Sequence, residues 1–484
     1  MAPISDGFTL LSSQGPSMIV VKETKFAVIQ IIYSQDMVKR LKRSYLKFWL
    51  LNKNKVGTSE LKSSKQRGTF QESLRLTLII GQMFSLLPVE GVCSKKASYV
   101  KFTWTSWKCS YLLLSLLGQI FITIMCIYKV AHSTTSLNNT TPVIFYGTTC
   151  MTMILFLQVA TKWPKLLQHI SRVEELDPTN DQNLTYKCNA TCIVVLTLAL
   201  VEHLLSLIAA ITAALVCHEY ESSYSGFVNY FYPWVFNFLP YSLWLGVFTQ
   251  FLHFQSTFIW NFSDLFVICM SYYLTSRLNH VNKKLLNAQG KYLPESFWRT
   301  TREDYGRAVQ LVRKVDDVIS GVVFISFANN LFFICLQLFN TLVDGISGTS
   351  ECASKAKGKS SLLNGYEAAA YFLFSLIYLI ARSIAVSLIA SQVNSASTVP
   401  APVLYDVPSP VYCVEVQRFL DQVNGDKVAL SGLQFFSVTR GLLLTVAGTI
   451  VTYELVMFQF SGPQPDAVPT ISTLSYNTTV ASIF

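Results

Sequence analysis

Along the last apolar stretch of the chain, Thr445, Thr449, Thr452, Val456 and Gln459 recur at steps of four, three, four and three residues. At about 100° per residue they share one narrow face of a helix. Neutral hydroxyls and an amide on such a face can replace part of an ion's hydration shell without trapping the ion, so the stripe reads as the lining of a wet pathway, with Phe460 beside Gln459 at its end. Taken singly, each hydroxyl has a plainer use, bonding a carbonyl of its own helix. Glu454 lies about 200° around the helix from Thr452, behind the stripe. With Tyr453 it reads as a coupling between that pathway and the rest of the subunit.

A second set of residues suits a small polyol. Tyr241, Trp244 and His253 fall on one apolar segment, Asn329, Asn330 and Gln337 on another, and Glu367 and Tyr371 on a third. A sugar offers a C–H face edged by hydroxyls, which calls for aromatic platforms flanked by amides and carboxylates. Trp and Tyr also collect at membrane interfaces for reasons unrelated to ligands. Ionisable residues within the apolar segments, Glu202, His203, Asp264 and Arg382, are costly there unless paired, and Arg382 with Asp264 or Glu202 is the expected pair. No Gly-rich phosphate loop, metal-ligand spacing or nucleophile constellation occurs, so no catalytic residue, metal or cofactor is expected.

The elements that must position these groups are membrane helices. The 484 residues are 51% hydrophobic and only 14% charged, where a soluble chain carries about a quarter charged residues. A net charge of +10 raises nucleic acid as a partner, but the basic residues are segregated by loop, which is a topology signal instead. Seven spans are predicted, at about Lys108 to Ala131, Val143 to Lys162, Asn189 to Val216, Tyr241 to Leu274, Gly321 to Val343, Glu367 to Ala390 and Leu433 to Phe460. With the N-terminus inside, the outer loops hold only Lys355, Lys357 and Lys359 of the basic residues, which sets the N-terminus cytosolic and the C-terminus extracellular.

The expected organisation is a basic cytosolic segment 1–73, a re-entrant or interfacial helix 74–92 and a six-helix ligand-sensing bundle 108–390. Cytosolic helical extensions follow at 275–317 and 391–432, with a seventh helix 433–460 and an extracellular tail 461–484. Cys217 and Cys352 fall in outer loops, an oxidising setting in which a disulfide is expected. Glycosylation acceptors at Asn138, Asn139 and Asn477 face the same side.

Thr452-Tyr453, five residues, then Gln459-Phe460 resembles the Thr-Tyr-x5-Gln-Phe motif that closes the last helix of insect gustatory receptors. Glu454, Gly448-Thr449-Ile450-Val451 and Thr439-Arg440 are similar to the sugar-receptor subfamily. The resemblance implies an all-α tetrameric channel, a homotetramer or a heterotetramer with related receptors, whose seventh helices line a central pore. It further implies a non-selective cation conductance opened by extracellular sugars, in the plasma membrane of a sensory dendrite, with lipid and sugar but no nucleic acid as partners. A metabotropic seven-span receptor, disfavoured by the N-inside orientation, and a sugar transporter, which would show internal repeats, are the alternatives.

Overall fold

The computed structural model describes residues 68–94, 97–132, 137–178, 181–214, 224–344 and 366–460. The basic segment 1–67, Cys217, Cys352, Asn477 and the tail from residue 461 lie outside the described residues, as do the side chains of Asn138 and Asn139.

Among the described residues the fold is all-α apart from one two-stranded hairpin and an isolated antiparallel bridge between Glu90 and Lys101. In chain order come α1 (Phe70–Met83), α2 (Trp107–His132), α3 (Leu137–Leu176), α4 (Gln182–Thr212), α5 (Tyr224–Phe231), α6 (Pro233–Phe236), α7 (Leu243–Leu286) and α8 (Glu295–Asp344). After these follow α9 (Glu367–Thr398), α10 (Pro400–Tyr405), α11 (Val414–Gly425), the strands β1 (Ser431–Gly432) and β2 (Phe436–Ser437), and α12 (Arg440–Phe460).

Among the described residues, five helices are long and apolar enough to cross a membrane: α2, α3, α4, α8 and α9, the last continued through α10. α7 is not among them. For α7 the reason is position. It packs against α9, α8 and α4, and its middle, from Phe258 through Leu274, is buried almost without interruption. Hydropathy reports contact with lipid, and a helix enclosed by protein is free to carry Gln255, Asn261 and Asp264.

α7 has 44 residues and α8 has 50, about 66 and 75 Å at 1.5 Å per residue. A hydrocarbon layer is about 30 Å thick, so both helices run far beyond it, joined by the turn 287–294. This turn marks the lower end of the bundle.

α1, at 14 residues, is too short to span. Thr69 caps it by accepting the Glu72 N–H at 3.3 Å, and the Glu72 carboxylate accepts the Gly68 N–H at 3.1 Å, a variant of the reciprocal capping box. Its buried face, Phe70, Ser73, Leu74, Thr77, Leu78 and Gly81, recurs at helical spacing. Phe70 meets Tyr273 edge-on at 4.8 Å and Trp163 at 5.7 Å. A Cβ on Gly81 would stand 2.6 Å from the Phe262 ring, so the helix lies close to α7 only because that residue has no side chain.

Two polar clusters hold the lower end. Asp177, just past α3, meets Lys284 at 2.9 Å, His280 at 3.2 Å and Arg277 at 3.4 Å, and Lys284 continues to Asp304 at 2.8 Å. Glu415 on α11 accepts from Arg302 at 2.8 Å and Arg418 at 2.9 Å, while Phe419 packs on Tyr305. The amphipathic α11 thus covers its apolar face against α8 of its own chain.

Burial disfavours the Asp177 carboxylate, but hydrogen bonds from His280 and Lys284 outweigh it and hold the group well below the ordinary carboxylate range. A carboxyl that binds its proton less tightly when folded stabilises the fold fully above the unfolded value near 4. That contribution is lost as pH falls through the folded value. Asp177→Asn is therefore expected to lower the unfolding temperature of the solubilised protein by a few degrees at pH 7. Melting curves recorded from pH 7 down to pH 3 should show the gap to wild type narrowing below about pH 4, whereas a gap that widens in acid contradicts the assignment.

Candidate functional site

α12 touches its own chain through one ridge. Leu443, Val446, Ile450 and Glu454, at steps of three, four and four, are half-buried, and Ile450 packs into an apolar cluster with Phe333, Ile334 and Leu379. Thr445, Thr449, Thr452, Val456 and Gln459 are exposed, and so is a neighbouring ridge of Leu444, Val451 and Leu455. The Thr445, Thr449 and Thr452 hydroxyls donate to the carbonyls of Gly441, Thr445 and Gly448 at 3.2, 3.0 and 2.9 Å. Each hydroxyl proton is therefore spent on the helix, and the oxygen presents lone pairs outward. Glu454 points the other way, and its two carboxylate oxygens are shielded with no hydrogen-bond partner among the described residues. Tyr453 is 39% exposed. Of Phe460 only the backbone is described.

α12 is anchored just before it starts. Asp316 on α8 accepts the Ser431 N–H at 2.6 Å, the Ser431 hydroxyl at 2.7 Å and the Gln434 amide at 3.3 Å. The β1–β2 hairpin, closed by Leu433 and Gln434 at positive φ, is thereby pinned to α8.

Deep in the bundle, Arg382 on α9 pairs with Asp264 on α7 at 2.8 Å, with side chains 2% and 0% exposed. Asp264 also accepts from Asn330 at 3.0 Å and from Ser326. Arg382 donates to Asn261 and, at 3.3 Å, to Asn330, and lies 4.5 Å from the centre of the Trp260 ring. Tyr378 closes the network by donating to Asn261 at 2.8 Å. The pair is thus with Asp264. Glu202 on α4 belongs to a second chain: the Ser375 hydroxyl donates to it at 2.6 Å and Gln337 donates to Ser375 at 3.0 Å. Tyr371 joins at Ser206 and Ser375.

His253 lies at the centre of an aromatic shell. Tyr146 hydrogen-bonds its Nδ1 at 3.0 Å, and the rings of Phe231, Phe145, Tyr232 and His203 stand 5.4 to 5.8 Å away.

The structure therefore divides the residues nominated for a sugar. His253, Asn329, Asn330, Gln337 and Glu367 are buried within the bundle. Asn330 is committed to the ion pair, Gln337 and Tyr371 share the Glu202 chain, and His253 is held separately. Tyr241 and Trp244 are 40% and 83% exposed and do not converge with the others. Residues that sequence reasoning passed over, Tyr146, Asn261, Ser326, Ser375 and Tyr378, complete these networks. For Asn261 the only sequence signal was a glycosylation acceptor lying inside a span, where it cannot be used. Two cavities, of about 610 and 750 Å³, lie at the lower end around Leu286 and Val399, away from all of these groups.

Long apolar helices around a buried ion pair define a multi-pass helical membrane protein. The architecture is shared with an olfactory receptor of the insect Machilis hrabei solved in complex with eugenol. Its TM-score is 0.57 at 13% identity, over 81% of this chain and 98% of that one, which establishes a common fold. Residues 51–467 match the trehalose receptor family, to which the chain belongs. It is 34% identical over 411 residues to the Drosophila melanogaster gustatory receptor for sugar taste 64f, covering 84% of each chain. To the Drosophila gustatory receptor 5a for trehalose it is 33% identical over 428 residues, covering 86% of this chain and 92% of that one. These relatives are receptors.

Proposed function

We propose that the protein is a sugar-gated, non-selective cation channel. Four copies, alike or mixed with related receptors, surround a pore lined by α12. The chain crosses the plasma membrane of a sensory dendrite seven times, with α7 as the span that hydropathy underrates and α12 as the seventh. The N-terminus is cytosolic, so the lower end is the cytosolic end. A transmembrane helix held by one ridge of its own subunit carries this reading. The apolar ridge of Leu444, Val451 and Leu455 suits a neighbouring α12, and the Thr445-to-Gln459 stripe then faces the axis. The relatives' names, for sugar taste and for trehalose, support a sugar as the opening ligand.

Energetics favour several subunits. A ligand held at millimolar Kd gains about 4 kcal/mol in binding, whereas moving a gate from 1% to 99% open takes about 5.5 kcal/mol of differential affinity. Four sites that each prefer the open state about tenfold, about 1.4 kcal/mol apiece, supply that together.

Expressing the chain alone and applying mono-, di- and trisaccharides to excised patches, without nucleotide or G protein, tests the proposal. Cation currents within milliseconds are expected. Responses that need a G protein indicate a metabotropic receptor, and sugar uptake without current indicates a transporter. Glu454, behind the stripe, is assigned to coupling. Glu454→Gln should shift the half-activating sugar concentration by about 3- to 10-fold, the reach of roughly 1 kcal/mol of lost coupling, and leave reversal potentials unchanged. Altered ion selectivity would place the residue in the pore instead.

A further inference from the structure

The larger cavity, about 750 Å³, is the size of a small-molecule site. It lies where the start of α4 meets the lower parts of α7 and α9, a junction the sugar-gated reading leaves unused. Lys187 and Lys283 line it, both exposed and without an ion-pair partner among the described residues. Thr275 and Asn282 line it too, 9% and 3% exposed. The Thr275 hydroxyl and the Asn282 side-chain carbonyl are both buried without a hydrogen-bond partner, while the Asn282 amide is held by the Ala396 carbonyl at 2.8 Å. A buried polar atom left unpaired costs about 1–3 kcal/mol, so the walls lack partners of both kinds, an acceptor for Thr275 and a donor for Asn282.

One acid lines the same space. Asp181 already accepts the Ser276 hydroxyl at 2.7 Å and the Asn183 N–H at 3.2 Å. His280, also in the wall, is held by Asp177 at 3.2 Å. The two lysines therefore dominate the open side.

The setting is a membrane boundary. Ile193 and Val194 are 60% and 55% exposed on the lipid-facing side of α4. One heptad before them on the same faces stand Tyr186, 62% exposed, and Lys187. Aromatic and basic side chains in this order mark the passage from acyl chains to headgroups, and Leu286, 49% exposed, adds an apolar edge to the cavity.

We infer that this cavity binds a phosphorylated polyol, the headgroup of an inositol phospholipid in the cytosolic leaflet. Lys187 and Lys283 meet the phosphates, Thr275 donates to a phosphate or polyol oxygen, and the Asn282 carbonyl accepts a ring hydroxyl. The cytosolic placement rests on the orientation proposed above.

The test uses the full-length chain in nanodiscs or detergent. Binding is measured by native mass spectrometry and by shift of the unfolding temperature. The probes are dioctanoyl phosphatidylinositol bisphosphate, dioctanoyl phosphatidylserine and free inositol trisphosphate. The bisphosphate lipid should bind tightest, and Lys187→Gln with Lys283→Gln should weaken it about 30-fold, near fivefold for each basic residue at a membrane surface. The ligand-free unfolding temperature of that variant should stay within a degree or two of wild type, both lysines being exposed. Equal binding of free inositol trisphosphate would assign the site to a soluble ligand. Equal binding of phosphatidylserine, or undiminished binding by the double variant, would overturn the proposal. Thr275→Val should weaken the bisphosphate lipid and leave phosphatidylserine unaffected. The readout is binding rather than current, so its failure leaves the sugar-gated reading standing, and failure of that reading leaves this binding measurable.

Discussion

Arg382→Met is expected to destabilise the protein by about 3–5 kcal/mol, the usual result of removing one member of a buried ion pair. Unfolding of the detergent-solubilised protein should move down by about 3–5 °C. The loss follows from what stays behind. Without the guanidinium, Asp264 keeps only Ser326 and Asn330 as donors, and its charge stands in a site that is 0% exposed. Asn261 and Trp260 lose the group that organises them.

Asp264→Asn should cost less. Arg382 would retain Asn261, Asn330 and the Trp260 face. Combining Asp264→Asn with Arg382→Met should recover part of the Arg382→Met loss, because no isolated charge then remains. The cycle should give a coupling of about 1–3 kcal/mol. Thermal unfolding followed by size-exclusion fluorescence measures all four proteins. An Arg382→Met protein as stable as wild type, or strictly additive losses, would show that the pair does not hold the bundle together.

The same network shows what a sequence can and cannot disclose. An Arg amid apolar residues announces that it must have a partner, since the membrane leaves it no other solvent, and so the pairing was readable with the choice between Asp264 and Glu202 left open. Asn261, Ser326 and Tyr378 sent no such signal. A lone amide or hydroxyl in a membrane helix is indistinguishable, along the chain, from one that bonds its own backbone. The α12 threonines bond their own backbone and are exposed as well, so the two readings of the stripe are compatible.

Hydropathy found the helices that touch lipid and underrated α7, whose neighbours are protein. Trp244 and Tyr241 have the composition of either a sugar platform or an interface belt. Only the fold shows them on the outside of the bundle. The Asp177 cluster escaped notice because its members come from just past the end of α3, from successive turns of α7 and from one position on α8, which only long-range packing brings together. The length of α7 and α8 below the membrane was visible as an amphipathic pattern at 275–317, though not that each continues a span without a break.

Thr452→Lys is expected to abolish the sugar-evoked cation current while leaving surface expression unchanged. In a four-fold arrangement the substitution places four ammonium groups around one level of the pathway. At about 8 Å from the axis and an effective dielectric constant of about 40, each repels a monovalent cation by about 1 kcal/mol. Together they raise the barrier by about 4 kcal/mol, a reduction of roughly 10³-fold before screening and at least about 10²-fold after it. The exposed position means that the lysine need not be buried in its own subunit, and the helix tolerates Lys well. The Thr452 hydroxyl gives its proton to Gly448 at 2.9 Å, so the native oxygen offers a cation only lone pairs, and Lys reverses that polarity. Sign is the discriminating feature. Thr452→Glu removes the same hydroxyl with an opposite charge and should retain or increase cation current and shift selectivity towards divalent ions. If Lys and Glu at this position affect the current alike, the effect is one of folding or packing, and the threonine face does not line the route that ions take.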